Sequence, residues 1–363
     1  MIRLDRNNLF DFVRLYAALQ VVLHHGASHL DYPLPDLVRA LFAFPGVPIF
    51  FALSGFLVSI SWINNSASPD GWKYYAVSRS LRIFPALWCA AIFGWFICLL
   101  FGKASFALSP LGFAWLLGQG SFVTFFNPDQ LRDFGVGVMN GSLWTIPVEI
   151  QFYLLVPLFA FFLPWIFRRN RLSAVAVAIG AVLASFVLQH YLAGAIFPGD
   201  GTSSRSAPLY LKLIGVSVFP YIGQFLLGAS FVGLLTRLGQ INCSRFLIFS
   251  GLFLGLLVRL IDAGGIPGIL MSNLSLGSFF VGLGLVSSRL QLPGDISYGL
   301  YLYHMPILNL LLIAFVGVGK NHLFFLLLFF TALMSLCSWI FLEKPCLKFR
   351  KTLAAKLFYG NIP

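Results

Sequence analysis

The sequence predicts an all-α, polytopic transmembrane helical bundle of about ten spans, and three observations carry that expectation. First, only 10% of the 363 residues are charged, while 59% are hydrophobic and 17% aromatic, and the mean hydropathy is +0.87. A soluble domain carries about 25% charged residues, so this chain cannot cover a water-facing surface and lipid must be the solvent for most of it. Second, the apolar runs are long and continuous rather than alternating. In lipid every backbone N–H and C=O needs an internal partner, so continuous runs read as helices. Third, Lys and Arg are unevenly shared between alternate loops, as membrane orientation requires.

A hydrocarbon core roughly 30 Å thick takes about 20 apolar residues per helix. Runs of that kind occupy about 8–26, 41–63, 82–101, 143–167, 172–193, 209–235, 246–262, 266–286, 296–317 and 322–342. The first contains Arg14, His24 and His25 with no small-residue cleavage site after it; it reads as a retained helix rather than a signal peptide. The stretch 110–126 is apolar but broken by Gly112, Gly118 and Gly120, and reads as a re-entrant or interfacial piece rather than a span.

Sixteen of the 24 Lys and Arg fall on the N-terminus, the even-numbered loops and the C-terminal segment, among them Arg6, Arg79, Arg168, Arg237, Lys351 and Lys356. Six lie on the other side (Arg39, Lys103, Arg132, Arg205, Lys212 and Lys320), and Arg14 and Arg259 sit within spans. Both termini are therefore expected in the cytoplasm. The formal net charge of +12 is a topology signal on this reading and not a nucleic-acid footprint. The expected organisation is one membrane domain over 1–345 and a short basic cytoplasmic tail over 346–363, with no repeat and no appended soluble domain. Five cysteines (Cys89, Cys98, Cys243, Cys337 and Cys346) form no CxxC and no metal-ligand spacing, so no metal is expected.

An ionisable group inside a span is costly and is a functional candidate by default. Arg14 and His25 are eleven positions apart, about three helical turns, and so share a face with Cα atoms roughly 16 Å apart. Asp11 lies on the same stripe and is placed to pair with Arg14. Glu149 falls in the first third of a span that starts outside, at a depth similar to His25. A carboxylate beside an imidazole is the usual arrangement for activating a hydroxyl, so His25, Glu149 and Arg14 are the candidate catalytic residues. Arg79 and Arg82, one turn apart where a span leaves the cytoplasm, suit a phosphate-bearing ligand. His304 lies among Tyr298, Tyr301 and Tyr303 in an otherwise apolar span, where it is either satisfied by a neighbour or lines a cavity. Each has a structural reading too: a packing ion pair, an interhelical strut, an orientation signal.

Six blocks in order resemble the membrane-bound acyltransferase-3 family of bacterial surface O-acyltransferases, from Phe10 to Arg350. They are the Arg14-x10-His25 spacing, the FF-x-LSGF block from Phe50 to Phe56, and the basic RxxRIFP block from Arg79 to Pro85. LW…VE-x-QFYLL-x-P runs from Leu143 to Pro157, SYxLYLxH-x-P from Ser297 to Pro306, and EKP from Glu343 to Pro345. Three features depart from the family pattern. Ser78 stands where the basic block often opens with arginine, Ile150 replaces the second glutamate of VEEQFY, and the esterase-like domain that some members append has no counterpart.

The resemblance implies transfer of an acyl group, usually acetyl, from cytoplasmic acyl-CoA to a hydroxyl of a cell-surface or periplasmic glycan or glycolipid at the bacterial inner membrane. Acyl-CoA is then a co-substrate and no cofactor is tightly bound. His25 would deprotonate the acceptor or briefly carry the acyl group, with Glu149 supporting its imidazolium. Arg14, Arg79 and Arg82 would handle acyl-CoA; Asp11, Ser54, Trp144, Tyr153, Tyr301 and His304 would line the cavity. A transporter or flippase of a polar or sugar-lipid substrate, or a structural subunit of an export complex, are the rival readings.

Overall fold

In a computed structural model the described residues are 2–5, 7–66, 68, 70–169, 171–196, 208–262, 264–350 and 352–354. Arg6, Arg205, Lys351, Lys356 and the tail beyond residue 354, all used in the topology argument, fall outside them. Among the described residues the secondary structure is helical, joined by loops and turns, and the only β pairing is an isolated bridge between Asn8 and Ser287. Eight helices among the described residues are long and apolar enough to cross a membrane.

The expected count of ten differs from this at identifiable places. The first helix, Phe10–Leu30, has 21 residues, but Asp11, Arg14 and its histidines make it too polar to count by composition. The expected spans 209–235 and 246–262 correspond to the two arms of one helical stretch, and the boundary between them lies at Gly239. A short helix, Leu209–Gly215, precedes a helix of 39 residues, Ile222–Leu260, that breaks at Gly239 with φ of 73°. A straight helix of that length would be about 58 Å long, twice the membrane core, and glycine is the residue that tolerates the left-handed conformation a sharp break needs. The stretch 110–126 yields only the ten-residue helix Pro110–Gln119, about 15 Å long, which is too short to span.

The chain divides into two compact units that interleave in sequence. The first comprises Met1–Val13, Val47–Trp72 and Val148–Gln291. Its helices meet through glycines. A Cβ on Gly55 would lie 2.0 Å from the Phe225 carbonyl oxygen, and one on Gly228 would lie 2.0 Å from that of Ala52. In lipid there is no hydrophobic drive between helices, so close backbone approach at small residues supplies the packing. Phe152 stacks on Phe225 with centroids 4.3 Å apart, and Ser244 and Ser275 donate to the Gly282 and Gly251 carbonyls of facing helices.

The second unit comprises Arg14–Gly46, Lys73–Pro147 and Leu292–Pro363. It holds most of the first helix, the helix Gly71–Leu100 from Lys73 onward, and the helices Ser297–Ala314 and Lys320–Ser338. The last passes through a π-helical turn, Trp339–Glu343, into Lys344–Lys348. Ser297–Ala314 is the buried axis of this unit, with 72% of its residues covered. A connecting segment around residues 135–145 is pinned to it. Asn309 Nδ2 donates to the Val138 and Met139 carbonyls, its Oδ1 accepts the Val136 N–H, and Asn140 donates to the Leu302 carbonyl. Gly135, at φ of 57°, lies so close that a Cβ would sit 1.8 Å from Asn309 Oδ1.

Candidate active site

Two polar clusters lie along the buried axis of the second unit, and each takes one residue from the first helix. The first is ionic. Asp295, two residues before the helix Ser297–Ala314, receives Arg82 Nη2 at 2.6 Å and Arg14 Nη1 at 3.4 Å on the same oxygen, Oδ2. Its other oxygen accepts the Ser297 hydroxyl and backbone N–H. The Arg82 guanidinium also lies over the Tyr298 ring, 5.7 Å from its centroid. Burial opposes ionisation of Asp295, but the Arg82 and Arg14 guanidiniums and the Ser297 hydroxyl outweigh it and hold the carboxyl below its usual range. Summed over these three side chains the formal charge is +1.

Arg14 thus pairs with Asp295, a carboxylate that the sequence did not single out; Asp11 is an exposed residue of the first unit. Arg82 is likewise anchored to an internal carboxylate. Arg79 lies over the Tyr75 ring at 5.9 Å.

The second cluster is hydrogen-bonded through two imidazoles and a hydroxyl. His25 Nδ1 lies 2.9 Å from His304 Nε2, with ring centroids 5.2 Å apart. Ser142 Oγ closes a triangle, 3.3 Å from His25 Nδ1 and 3.1 Å from His304 Nε2. His304 Nδ1 lies 3.1 Å from the Leu300 carbonyl oxygen one turn back. Tyr301 donates its hydroxyl to the Ser142 carbonyl and meets Thr145 Oγ1 at 2.6 Å, which fixes the 3₁₀ turn Gly141–Trp144 that carries Ser142. His304 and Ser142 are buried and His25 is half-buried.

Of the residues singled out in the sequence, the second unit contains Arg14, His25, Arg79, Arg82, Trp144, Tyr301 and His304. Asp11, Ser54, Glu149 and Tyr153 belong to the first unit. There the Glu149 carboxylate accepts the Tyr153 hydroxyl one turn on, whereas the groups hydrogen-bonded to His25 are an imidazole and a hydroxyl. Sequence reasoning missed Asp295, Ser142 and Asn309. Asp295 and Ser142 lie in or beside motif blocks already quoted, but neither charge nor spacing distinguishes them from loop residues. It also took Glu343 only as a motif letter. Glu343 is buried in the π-helical turn, its Oε1 accepting the Ser338 hydroxyl, and no described residue hydrogen-bonds its buried Oε2. All five cysteines are free, and no described group of His, Cys, Asp or Glu is arranged to hold a metal ion.

Two clefts flank these clusters within the unit. One, of about 400 Å³, is lined by Trp339, Lys344, Leu347, Lys348 and Arg350; it belongs to the ionic end, where Trp339 packs directly on Gly294. The other, of about 600 Å³, belongs to the histidine end and includes His24, Ser28, Tyr32, Asp36 and Arg39.

The family model of an acyltransferase domain matches residues 7–343, nearly the whole chain and both clusters. The chain belongs to that acyltransferase family. Nodulation protein 10 of Rhizobium leguminosarum bv. viciae is similar at 31% identity, over 97% of this chain and 96% of that protein. The peptidoglycan O-acetyltransferase OatA of Listeria monocytogenes is 25% identical over 83% of this chain, which spans 49% of its length. An O-acetyl transferase of Shigella phage Sf6 is 29% identical over 42% of this chain. No solved structure matches. The protein is thus a multi-pass membrane acyltransferase.

Proposed function

We propose that this acyltransferase moves an acyl group, most simply acetyl, from cytoplasmic acyl-CoA to a hydroxyl of a glycan or glycolipid beyond the bacterial inner membrane. The observation that carries the reading is His25, paired with His304 and placed eleven residues along the same helix as Arg14, at the far end from a cationic cluster. Acyl-CoA is a polyanion on a long flexible arm ending in a thioester. Its phosphates suit the net-positive Arg14–Arg82–Asp295 cluster, Arg79, and the cleft of Trp339, Lys344, Lys348 and Arg350, where the indole offers a stacking surface for the adenine. The thioester then lies along the first helix, whose Arg14-to-His25 rise is roughly 16 Å.

In the transfer itself, His25 takes the proton of the acceptor hydroxyl as its oxygen attacks the thioester carbonyl. The C–S bond breaks, the new C–O ester forms, and the CoA thiolate leaves and recovers the proton from His25. A positioned general base of this kind contributes about 10²–10⁴-fold to rate. The acceptor enters from the cleft beside His24, whose Ser28, Tyr32, Asp36 and Arg39 offer the mixed hydrogen-bonding surface a polyhydroxylated ligand needs. Glu149 remains in the proposal as an acceptor-side carboxylate.

The test uses source-cell membranes in which the gene is deleted and then restored as wild type or as His25→Ala. Radiolabelled acetyl-CoA is supplied and label is counted in the glycan and glycolipid fractions. Wild type is expected to restore incorporation and His25→Ala to lower it by about 10²-fold or more. Full incorporation by the alanine variant removes His25 from the chemistry. A protein that moves sugar-lipid in proteoliposomes without consuming acetyl-CoA is a transporter.

A further inference from the structure

The hydrogen bonds of the histidine cluster determine where its protons sit. The Leu300 carbonyl can only accept, so the His304 Nδ1 that lies 3.1 Å from it carries a hydrogen. His304 is fully buried, and the groups hydrogen-bonded to it are an imidazole, a hydroxyl and a carbonyl. A cation there would have no bonded counter-charge, which is costly, so the ring is neutral and its Nε2 is a bare lone pair. That lone pair faces His25 Nδ1 at 2.9 Å. Two ring nitrogens at that distance need one hydrogen between them, and only His25 can supply it. A neutral His25 therefore has its own lone pair on Nε2, the nitrogen to which no described residue hydrogen-bonds.

We infer that His304 is a positioning residue: it accepts the Nδ1–H of His25 and so locks the tautomer whose Nε2 can take a proton from the acceptor hydroxyl. The inference rests on the proposed acyl transfer and deepens it. Once His25 has taken that proton, its Nδ1–H bond to His304 becomes charge-assisted and strengthens at the moment it is needed. A neutral imidazole thus supplies part of what a carboxylate would supply in a triad, without burying a second charge. The Ser142 hydroxyl can donate to the same His304 lone pair or accept from His25 Nδ1. Hydrogen bonds hold the rest of the frame: the Leu300 carbonyl behind His304, and Asn140 and Tyr301 on the turn that bears Ser142.

The experiment compares His304→Leu, which removes the acceptor, with His304→Gln, whose amide oxygen reaches as far as Nε2 and can accept the same N–H. His304→Met replaces the leucine variant should that variant fail to accumulate, and detergent size-exclusion profiles report folding. The full-length protein is assayed in membranes with radiolabelled acetyl-CoA at varied concentration, giving a maximal rate and a KM. Loss of the locked tautomer is expected to lower the maximal rate about 10²-fold with KM changed less than about twofold. His304→Gln is expected to recover to within about tenfold of wild type. A leucine or methionine variant within about threefold of wild type overturns the inference, and so does a folded glutamine variant as slow as leucine. If His25→Ala retains the full rate, the acyl-transfer reading fails as well, which separates the two failures.

Discussion

Two candidate spans, Ser297–Ala314 and Val175–Leu192, the latter lying within the helix Arg171–Ile196, show how this protein distributes polarity. Ser297–Ala314 is the least apolar of the eight candidate spans and the most buried, with 72% of its residues covered. Val175–Leu192 is markedly more apolar and only 17% of it is covered. In a water-soluble domain that order would be reversed. In lipid the apolar side chain is already at home, so hydrophobicity gives no reason to turn inward, whereas an asparagine, tyrosine or histidine must find protein partners. Burial here follows the need for hydrogen bonds. The most covered helix is accordingly the one that carries His304, Asn309 and Tyr301.

The largest expected effect that tests this contrast is at Asp295. Asp295→Ala leaves Arg14 and Arg82 without the carboxylate they share, and is expected to cost about 3–5 kcal/mol, toward the lower value because both arginines are partly accessible. Thermal unfolding in detergent measures it. The same pair has a defined pH behaviour. Because the folded carboxyl is held below its ordinary value, its contribution is fully present above an unfolded pKa of about 3.9. It is lost only as pH falls through the lower folded value. The gap between wild type and Asp295→Asn should therefore stay constant from about pH 8 to 5 and narrow in stronger acid.

Asn309→Leu comes next. It removes the amide that bonds the Val136 N–H and the Val138 and Met139 carbonyls, with an expected loss of about 2–3 kcal/mol. Gly135→Ala strikes the same clamp from the other side. A left-handed φ and a Cβ 1.8 Å from Asn309 Oδ1 predict a loss of about 1–2 kcal/mol. The smallest effect is expected on the other span: Val177→Leu, at an exposed apolar position, should change stability by less than about 0.5 kcal/mol. A Val177→Leu variant as damaged as Asn309→Leu would show that the contrast between the spans has no energetic content.

Particular residues show how far the site was readable. Arg14 and His25 could be found because a helix converts their spacing of eleven into a shared face, and because a charge or imidazole in an apolar run has no cheap alternative explanation. Their partners were not readable. Asp295 lies 281 positions from Arg14, and His304 lies 279 from His25, and no local rule selects one carboxylate over another at that separation. Asp11, three residues from Arg14, and Glu149, at the depth of His25, are the carboxylates that local rules offer. Across the chain the fold adds Asp295 beside Arg14, and His304 with Ser142 beside His25.

The helical, membrane-embedded character of the chain follows from the sequence alone, because a chain with so few charges has no other way to satisfy its backbone. The six motif blocks likewise identified the family. Only the tertiary structure decided which polar groups meet, where the long helix breaks at Gly239, and which nitrogen of His25 keeps its lone pair. Those depend on hydrogen-bond directions between helices brought together by glycine contacts and asparagine clamps, and directionality across hundreds of residues is not encoded in any one segment.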